Sequence, residues 1–84
     1  TPALPIVKLL RERGAEIAYV DPHVPRWSVG GVEVTRLDLP DLVNSDLVIL
    51  LQDHEEFLQP DSLGSEIPLL DTRAVLTGAN VAYL

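Results

Sequence analysis

Residues 44–57 read Asn-Ser-Asp-Leu-Val-Ile-Leu-Leu-Gln-Asp-His-Glu-Glu-Phe, and this stretch decides the fold that the sequence predicts. Residues 47–51 are all apolar, without alternation. A strand with one face in water would alternate, so the run indicates a strand covered on both faces in a parallel sheet; a short buried helix is the alternative. Asp53 and His54 follow the run, and ligands of open parallel sheets bind just beyond the carboxyl ends of the strands.

The composition limits both the fold and the partners. With 84 residues, 46% of them hydrophobic, the chain predicts one small domain, or a piece of one, that can fill a core. The net charge of −7 argues against nonspecific binding to nucleic acid or to an anionic membrane. The lack of cysteine excludes thiolate metal sites and a cysteine nucleophile within the chain, and it fits a cytoplasmic location. The lack of methionine indicates a fragment of a longer protein.

Three segments have helical patterns. Residues 1–13 repeat apolar side chains at helical spacing, although Pro5 favours a regular helix that begins a few residues later. Asp38 can start a short helical turn, and Asp53 can start another helix that Pro60 limits.

Strand patterns alternate with the helical ones. Residues 23–31 contain one proline and two glycines and are predicted to form a loop. A turn is predicted at residues 78–80. The predicted strands other than 47–51 are residues 15–20, 31–35, 67–70 and 81–84.

Strands that alternate with helices imply right-handed β-α-β units. The predicted fold class is therefore α/β, a three-layer Rossmann-like parallel sheet with flanking helices, whose first strand would precede Thr1 and is missing from this chain. Three predicted strands end in polar residues, which we expect at one edge of the sheet as the rim of a site. These rim residues are Asp21, His23, Asp53, His54, Asp71, Thr72 and Arg73.

There are three alternative interpretations of the polar rim. Aspartate often ends a strand simply because it starts turns and caps helices. A metal site built from Asp21, His23, Asp53 and His54 has suitable ligand types, but the spacing matches no tight metal motif. A phospho-acceptor receiver domain needs a lysine near this edge, and the only lysine, Lys8, lies in the first predicted helix.

Arg73 is the most informative rim residue. It is the only lysine or arginine in the second half of the chain. A guanidinium at the edge of a sheet can hold a phosphate in bidentate fashion. The alternative is a structural ion pair with Asp53 or Asp71.

Taken together, these motifs resemble the C-terminal domain of the UDP-glucose/GDP-mannose dehydrogenases. The resemblance spans nearly the whole chain and keeps the order and spacing of the motifs. The matching segments are Thr-Pro-Ala-Leu at 1–4, Arg-Gly-Ala-Glu at 13–16, Tyr-Val-Asp-Pro-His-Val-Pro at 19–25, Ser-Asp at 45–46, Asp-His-Glu-Glu-Phe at 53–57 and Asp-Thr-Arg at 71–73.

The resemblance implies an enzyme context. Members of the family oxidise the C6 hydroxyl of a nucleotide sugar to a carboxylate with two NAD. An N-terminal Rossmann domain holds NAD, and a cysteine near the domain junction forms the covalent intermediate. The expected substrate is UDP-glucose or a UDP-N-acetyl-hexosamine, the expected setting is cytoplasmic synthesis of surface polysaccharide, and the expected assembly is a homo-oligomer.

For this chain, the resemblance implies a single partial UDP-sugar-binding domain over residues 1–84. Arg73 matches the substrate-contacting arginine of the family's Asp-x-Arg motif, and Ala74 replaces the asparagine that often follows it. We expect no catalytic residue, NAD-binding residue or metal ligand here, so the fragment alone is expected to be inactive. The alternative function is a non-catalytic α/β binding or interaction module.

Overall fold

The computed structural model describes residues 3–58 and 66–83 of the chain. These residues group into two units, Thr1–Asp38 and Leu39–Leu84. The prediction of one partial domain over residues 1–84 stays a prediction.

The first unit begins with helix α1 (Ala3–Glu12), whose inward face is centred on Val7. Pro5 lies in the first described turn, where a backbone N–H has no acceptor within the helix. The expectation of a helix start a few residues after Thr1 stays a prediction. The helix ends in a Schellman motif. The backbone N–H of Gly14 (φ 89°) donates to the carbonyl of Arg11, and the N–H of Ala15 donates to the carbonyl of Leu10.

Four short strands complete the first unit. β1 (Ala18–Tyr19) pairs in parallel with β4 (Thr35–Arg36). β2 (Ser28–Val29) pairs antiparallel with β3 (Val32–Glu33) through a turn of two positive-φ glycines. The prediction of a loop over residues 23–31 is therefore wrong at its end, because Gly-Gly supports a two-residue hairpin turn.

The core of the first unit is small and apolar. Val7, Val29 and Val34 are buried, and Tyr19 and Trp27 pack against them. The two aromatic rings meet edge to face, with ring centroids 5.6 Å apart. This packing fixes the position of β1, whose carboxyl end leads to Asp21 and His23.

The second unit contains the parallel sheet that residues 47–51 predict. A 3-10 helix (Leu39–Asn44) precedes β5 (Val48–Leu50), and α2 (Glu55–Leu58) follows it. β6 (Leu69–Asp71) and β7 (Val81–Tyr83) complete a sheet of order β5-β6-β7, with both pairings parallel.

Burial in this unit is concentrated around the middle strand. Leu69 in β6 is 3% exposed, and Leu50 in β5 is 4% exposed. Phe57 of α2 and Ile67 are also buried. Leu47 is 52% exposed, so the covered part of the apolar run begins one residue later than predicted.

The α/β class, with parallel strands and helices, is confirmed, and the helix alternative for residues 47–51 is excluded. The predicted strand at 15–20 shortens to β1, and the predicted strand at 31–35 divides between β3 and β4. The predicted helix start at Thr1 and the helix limit at Pro60 lie outside the described residues. Within residues 3–58 and 66–83, no helix is both long and apolar enough to cross a membrane.

Candidate functional site at the carboxyl ends of β5 and β6

The loop after β6 is organised by one buried carboxylate. Asp71 is fully buried at the carboxyl end of the strand. Its Oδ1 accepts hydrogen bonds from the backbone N–H groups of Arg73 (2.8 Å) and Ala74 (2.9 Å). Its Oδ2 accepts from the N–H groups of Val75 and Leu76, both at 2.8 Å. The side chain therefore holds the backbone of residues 73–76 within the loop between β6 and β7.

The electrostatics of Asp71 follow from these contacts. Burial acts to raise the pKa of the carboxyl, but hydrogen bonds from the N–H groups of Leu76, Arg73, Val75 and Ala74 outweigh it and lower the pKa below its ordinary value. Asp71 is thus a fixed anion at neutral pH. Its contacts match the turn-forming role of strand-ending aspartates, since both oxygens are engaged by the backbone.

Thr72 ties the same loop to the neighbouring strand. Its backbone N–H (3.1 Å) and its hydroxyl (2.7 Å) both donate to the carbonyl of Leu50, the last residue of β5. At the far end of the loop, the hydroxyl of Tyr83 donates to the carbonyl of Leu76. The carboxyl ends of all three strands in this sheet therefore support one loop.

Arg73 projects from this loop and meets Asp53, which lies three residues beyond β5. Arg73 Nε and Asp53 Oδ1 are 3.0 Å apart, and the two side chains are 54% and 36% exposed. The structural ion pair that the sequence left open is therefore present. Among residues 3–58 and 66–83, Nη1 and Nη2 of Arg73 make no hydrogen bond, so the end of the guanidinium can still receive an anionic ligand.

His54 lies beside Asp53 at the start of α2. Its carbonyl accepts a hydrogen bond from the backbone N–H of Phe57 (2.9 Å), and its ring meets the Phe57 ring edge to face, with centroids 5.2 Å apart. Because Phe57 is buried, its ring contact with His54 helps to fix the start of α2 against the rest of the second unit.

Asp21 and His23 belong to the first unit, in the turn after β1. Asp21 Oδ1 accepts a hydrogen bond from the backbone N–H of His23 (2.8 Å), which is an Asx turn. The Asp21 carbonyl accepts from Nη2 of Arg36 (3.2 Å). The structure thus brings Asp53, Asp71, Thr72 and Arg73 together in the second unit. A common rim with Asp21 and His23 stays a prediction, as does the metal hypothesis.

Sequence reasoning missed two contributors to this site. Tyr83 lies beside Asp71 across the β6–β7 register, a position that a predicted pairing of these strands could have indicated. Ala74 adopts φ 57°, the left-handed region in which a Cβ is unfavourable. Its sequence signal was the departure from the family's asparagine, a residue that tolerates this conformation better.

Replacing Ala74 with Asn is expected to stabilise the loop by about 0.5–1 kcal/mol, because Asn relieves part of the left-handed penalty. Hydrogen exchange at the Val75 and Leu76 amides should slow accordingly. Ala79→Asn is the matched control, since Ala79 is exposed and has no positive φ. Equal effects of the two substitutions, or no slowing in Ala74→Asn, would contradict the strain argument.

Comparison with known proteins identifies the family of this chain. Residues 1–80 match the model of the UDP-glucose/GDP-mannose dehydrogenase family, UDP binding domain. The chain is 32% identical over 87 aligned positions to an NDP-N-acetyl-D-galactosaminuronic acid dehydrogenase of Ralstonia solanacearum, covering 98% of this chain and 20% of that protein. No solved structure matches. The chain spans about a fifth of the length of that relative, and it belongs to the UDP-glucose/GDP-mannose dehydrogenase family through the family's UDP-binding domain.

Proposed function

We propose that this chain is the substrate-binding part of an NAD-dependent nucleotide-sugar 6-dehydrogenase that supplies sugar acids for surface polysaccharide. The parent enzyme would act in the cytoplasm as a homo-oligomer. Its substrate is UDP-glucose or a UDP-N-acetyl-hexosamine, and the name of the Ralstonia solanacearum relative favours an N-acetyl sugar.

One observation carries the proposal for the site: the end of the Arg73 guanidinium is presented at the carboxyl ends of β5 and β6. Arg73 is the only lysine or arginine after Arg36, so an anionic ligand of the second unit has a single permanently cationic side chain to contact. Two N–H groups in a planar fork match two phosphate oxygens of a nucleoside diphosphate. We therefore assign Arg73 to the diphosphate.

The remaining rim residues are proposed to support or border this contact. Asp71 and Thr72 fix the loop that carries Arg73, Asp53 holds the guanidinium, and His54 fixes the adjoining turn. Asp21 and His23 remain proposed rim residues of the first unit.

The role of the chain is binding and orientation. Interactions with parts of the substrate that do not react can be used to place the reacting carbon correctly. In this proposal Arg73 holds the diphosphate so that the sugar C6 reaches reactive groups elsewhere in the parent enzyme.

NAD does not fit the residues of this chain. The sequence has no Gly-x-Gly pattern for a pyrophosphate loop. Its one pair of adjacent glycines, Gly30 and Gly31, has φ values of 59° and 78° and forms the β2–β3 hairpin turn. The proposal therefore assigns NAD binding to the N-terminal domain of the parent enzyme.

The full-length protein is expected to reduce two NAD for each UDP-sugar consumed, because converting a primary alcohol to a carboxylate removes four electrons. NADH absorbance, measured with UDP-glucose, UDP-N-acetyl-glucosamine and UDP-N-acetyl-galactosamine, tests this stoichiometry. GDP-mannose serves as the comparison substrate. If none of these nucleotide sugars supports NAD reduction, the dehydrogenase proposal fails; UDP binding without reduction would instead favour a non-catalytic binding module.

A further inference from the structure

The contact between Asp53 and Arg73 leaves the end of the guanidinium open. A guanidinium can pair with an anion along the side that carries Nε or across the end that carries Nη1 and Nη2. Asp53 Oδ1 accepts a hydrogen bond from the Nε–H of Arg73, with 3.0 Å between Nε and Oδ1. The remaining end is the part whose parallel N–H groups match two phosphate oxygens.

Both partners of this contact lie close to the carboxyl ends of neighbouring strands. Asp53 lies between the end of β5 and the first turn of α2. The backbone of Arg73 is held by Asp71, and Thr72 beside it is bonded twice to the end of β5. The contact therefore joins the segments that follow β5 and β6, and it can set the direction of the Arg73 side chain.

Without such a contact, a half-exposed arginine samples many rotamers, and a ligand must immobilise it on binding. An ion pair this exposed contributes little stability of its own because water and salt screen it. The measurable consequence of the contact is therefore expected in ligand binding rather than in folding.

We propose that Asp53 is a positioning residue. Its carboxylate holds Arg73 so that the Nη end of the guanidinium is directed at the diphosphate of the substrate. This inference rests on the proposed function of Arg73. The carboxylate charge is not what the position needs, because a negative charge near a diphosphate is unfavourable. An oxygen acceptor for Nε–H is needed, and Asn supplies one with the same shape.

The test measures KM and kcat for the UDP-sugar in the full-length enzyme. Asp53→Ala is expected to raise KM by about 2- to 10-fold with kcat little changed, the range associated with immobilising one flexible side chain. Asp53→Asn is expected to restore KM to within about twofold of wild type, because it keeps the acceptor. Asp53→Ser also shortens the side chain and is expected to raise KM by a similar factor. It provides the measurement if the alanine variant folds poorly.

Arg73→Ala separates this inference from the proposed function. In an Arg73→Ala background, Asp53→Ala should have no further effect on KM. An equal effect in both backgrounds, or equal KM values for Asp53→Asn and Asp53→Ala, would overturn the positioning role while leaving Arg73 in the site. If Arg73→Ala itself leaves KM unchanged, the proposed site is wrong and the positioning role fails with it.

Discussion

Asp71→Asn is expected to destabilise the loop of residues 72–76 by about 2–4 kcal/mol, although the two side chains have nearly the same shape. The carboxylate accepts four backbone N–H groups, two on each oxygen. In Asn, an NH2 group replaces one carboxylate oxygen, so the two backbone N–H groups that this oxygen accepted face a donor instead. The remaining oxygen keeps its two hydrogen bonds but no longer carries a negative charge. Each buried donor left without an acceptor costs about 1–3 kcal/mol.

Hydrogen exchange at the Val75 and Leu76 amides measures this cost in the full-length protein. A loss of 2–4 kcal/mol corresponds to exchange that is roughly 30- to 900-fold faster. Asp46→Asn is the matched control, because Asp46 is an exposed residue of the same unit and an exposed substitution usually changes stability by less than about 0.5 kcal/mol. Protection factors that stay within threefold of wild type in Asp71→Asn would show that the carboxylate does not hold the loop.

The pH dependence of the same amides provides a second comparison. Because the folded-state pKa of Asp71 is lowered, its contribution is fully present above the ordinary value of 3.8 and is lost as pH falls through the folded value. Wild-type protection factors at these amides should therefore decrease in strong acid. Asp71→Asn has no carboxyl at this position, so this component of the decrease should disappear.

The behaviour of Asp71 shows what sequence patterns could and could not predict. The apolar run at 47–51 predicted the parallel sheet of the second unit correctly, because strand burial and alternation are local properties. The common edge that the polar residues after each strand predicted stays a prediction. The same residue types at that edge serve different purposes: Asp71 binds backbone, while Asp53 binds a side chain 20 positions away. Only the fold decides between these uses.

Backbone conformation accounts for the remaining differences. The pair Gly30 and Gly31 is consistent with a loop or with a hairpin turn. The structure has the hairpin, because Val29 and Val32 pair on either side of the two glycines. The left-handed conformation of Ala74 opposes the preference of its own side chain. It is imposed by the hydrogen bonds to Asp71, which no local pattern around Ala74 indicates.

Arg73→Ala in the full-length enzyme is expected to raise KM for the UDP-sugar by about tenfold, while KM for NAD stays within about twofold. Hydrogen bonds to a charged group contribute about 1.5–3 kcal/mol, and the half-exposed position of Arg73 places the effect near the lower limit. Steady-state kinetics with each substrate varied in turn measures both constants. Arg73→Lys should lie between wild type and Arg73→Ala, because lysine keeps the charge but not the fork.

Arg13→Ala is the control for loss of one positive charge from an acidic chain. Arg13 is exposed just beyond the end of α1. If Arg73 acts through direct contact, Arg13→Ala should leave KM unchanged, and the difference between the two variants should persist in high salt. A similar rise in both variants would mean that overall charge, not the geometry at the carboxyl ends of β5 and β6, governs binding. An unchanged KM in Arg73→Ala would remove Arg73 from the substrate site, because no other lysine or arginine follows Arg36 to take its place.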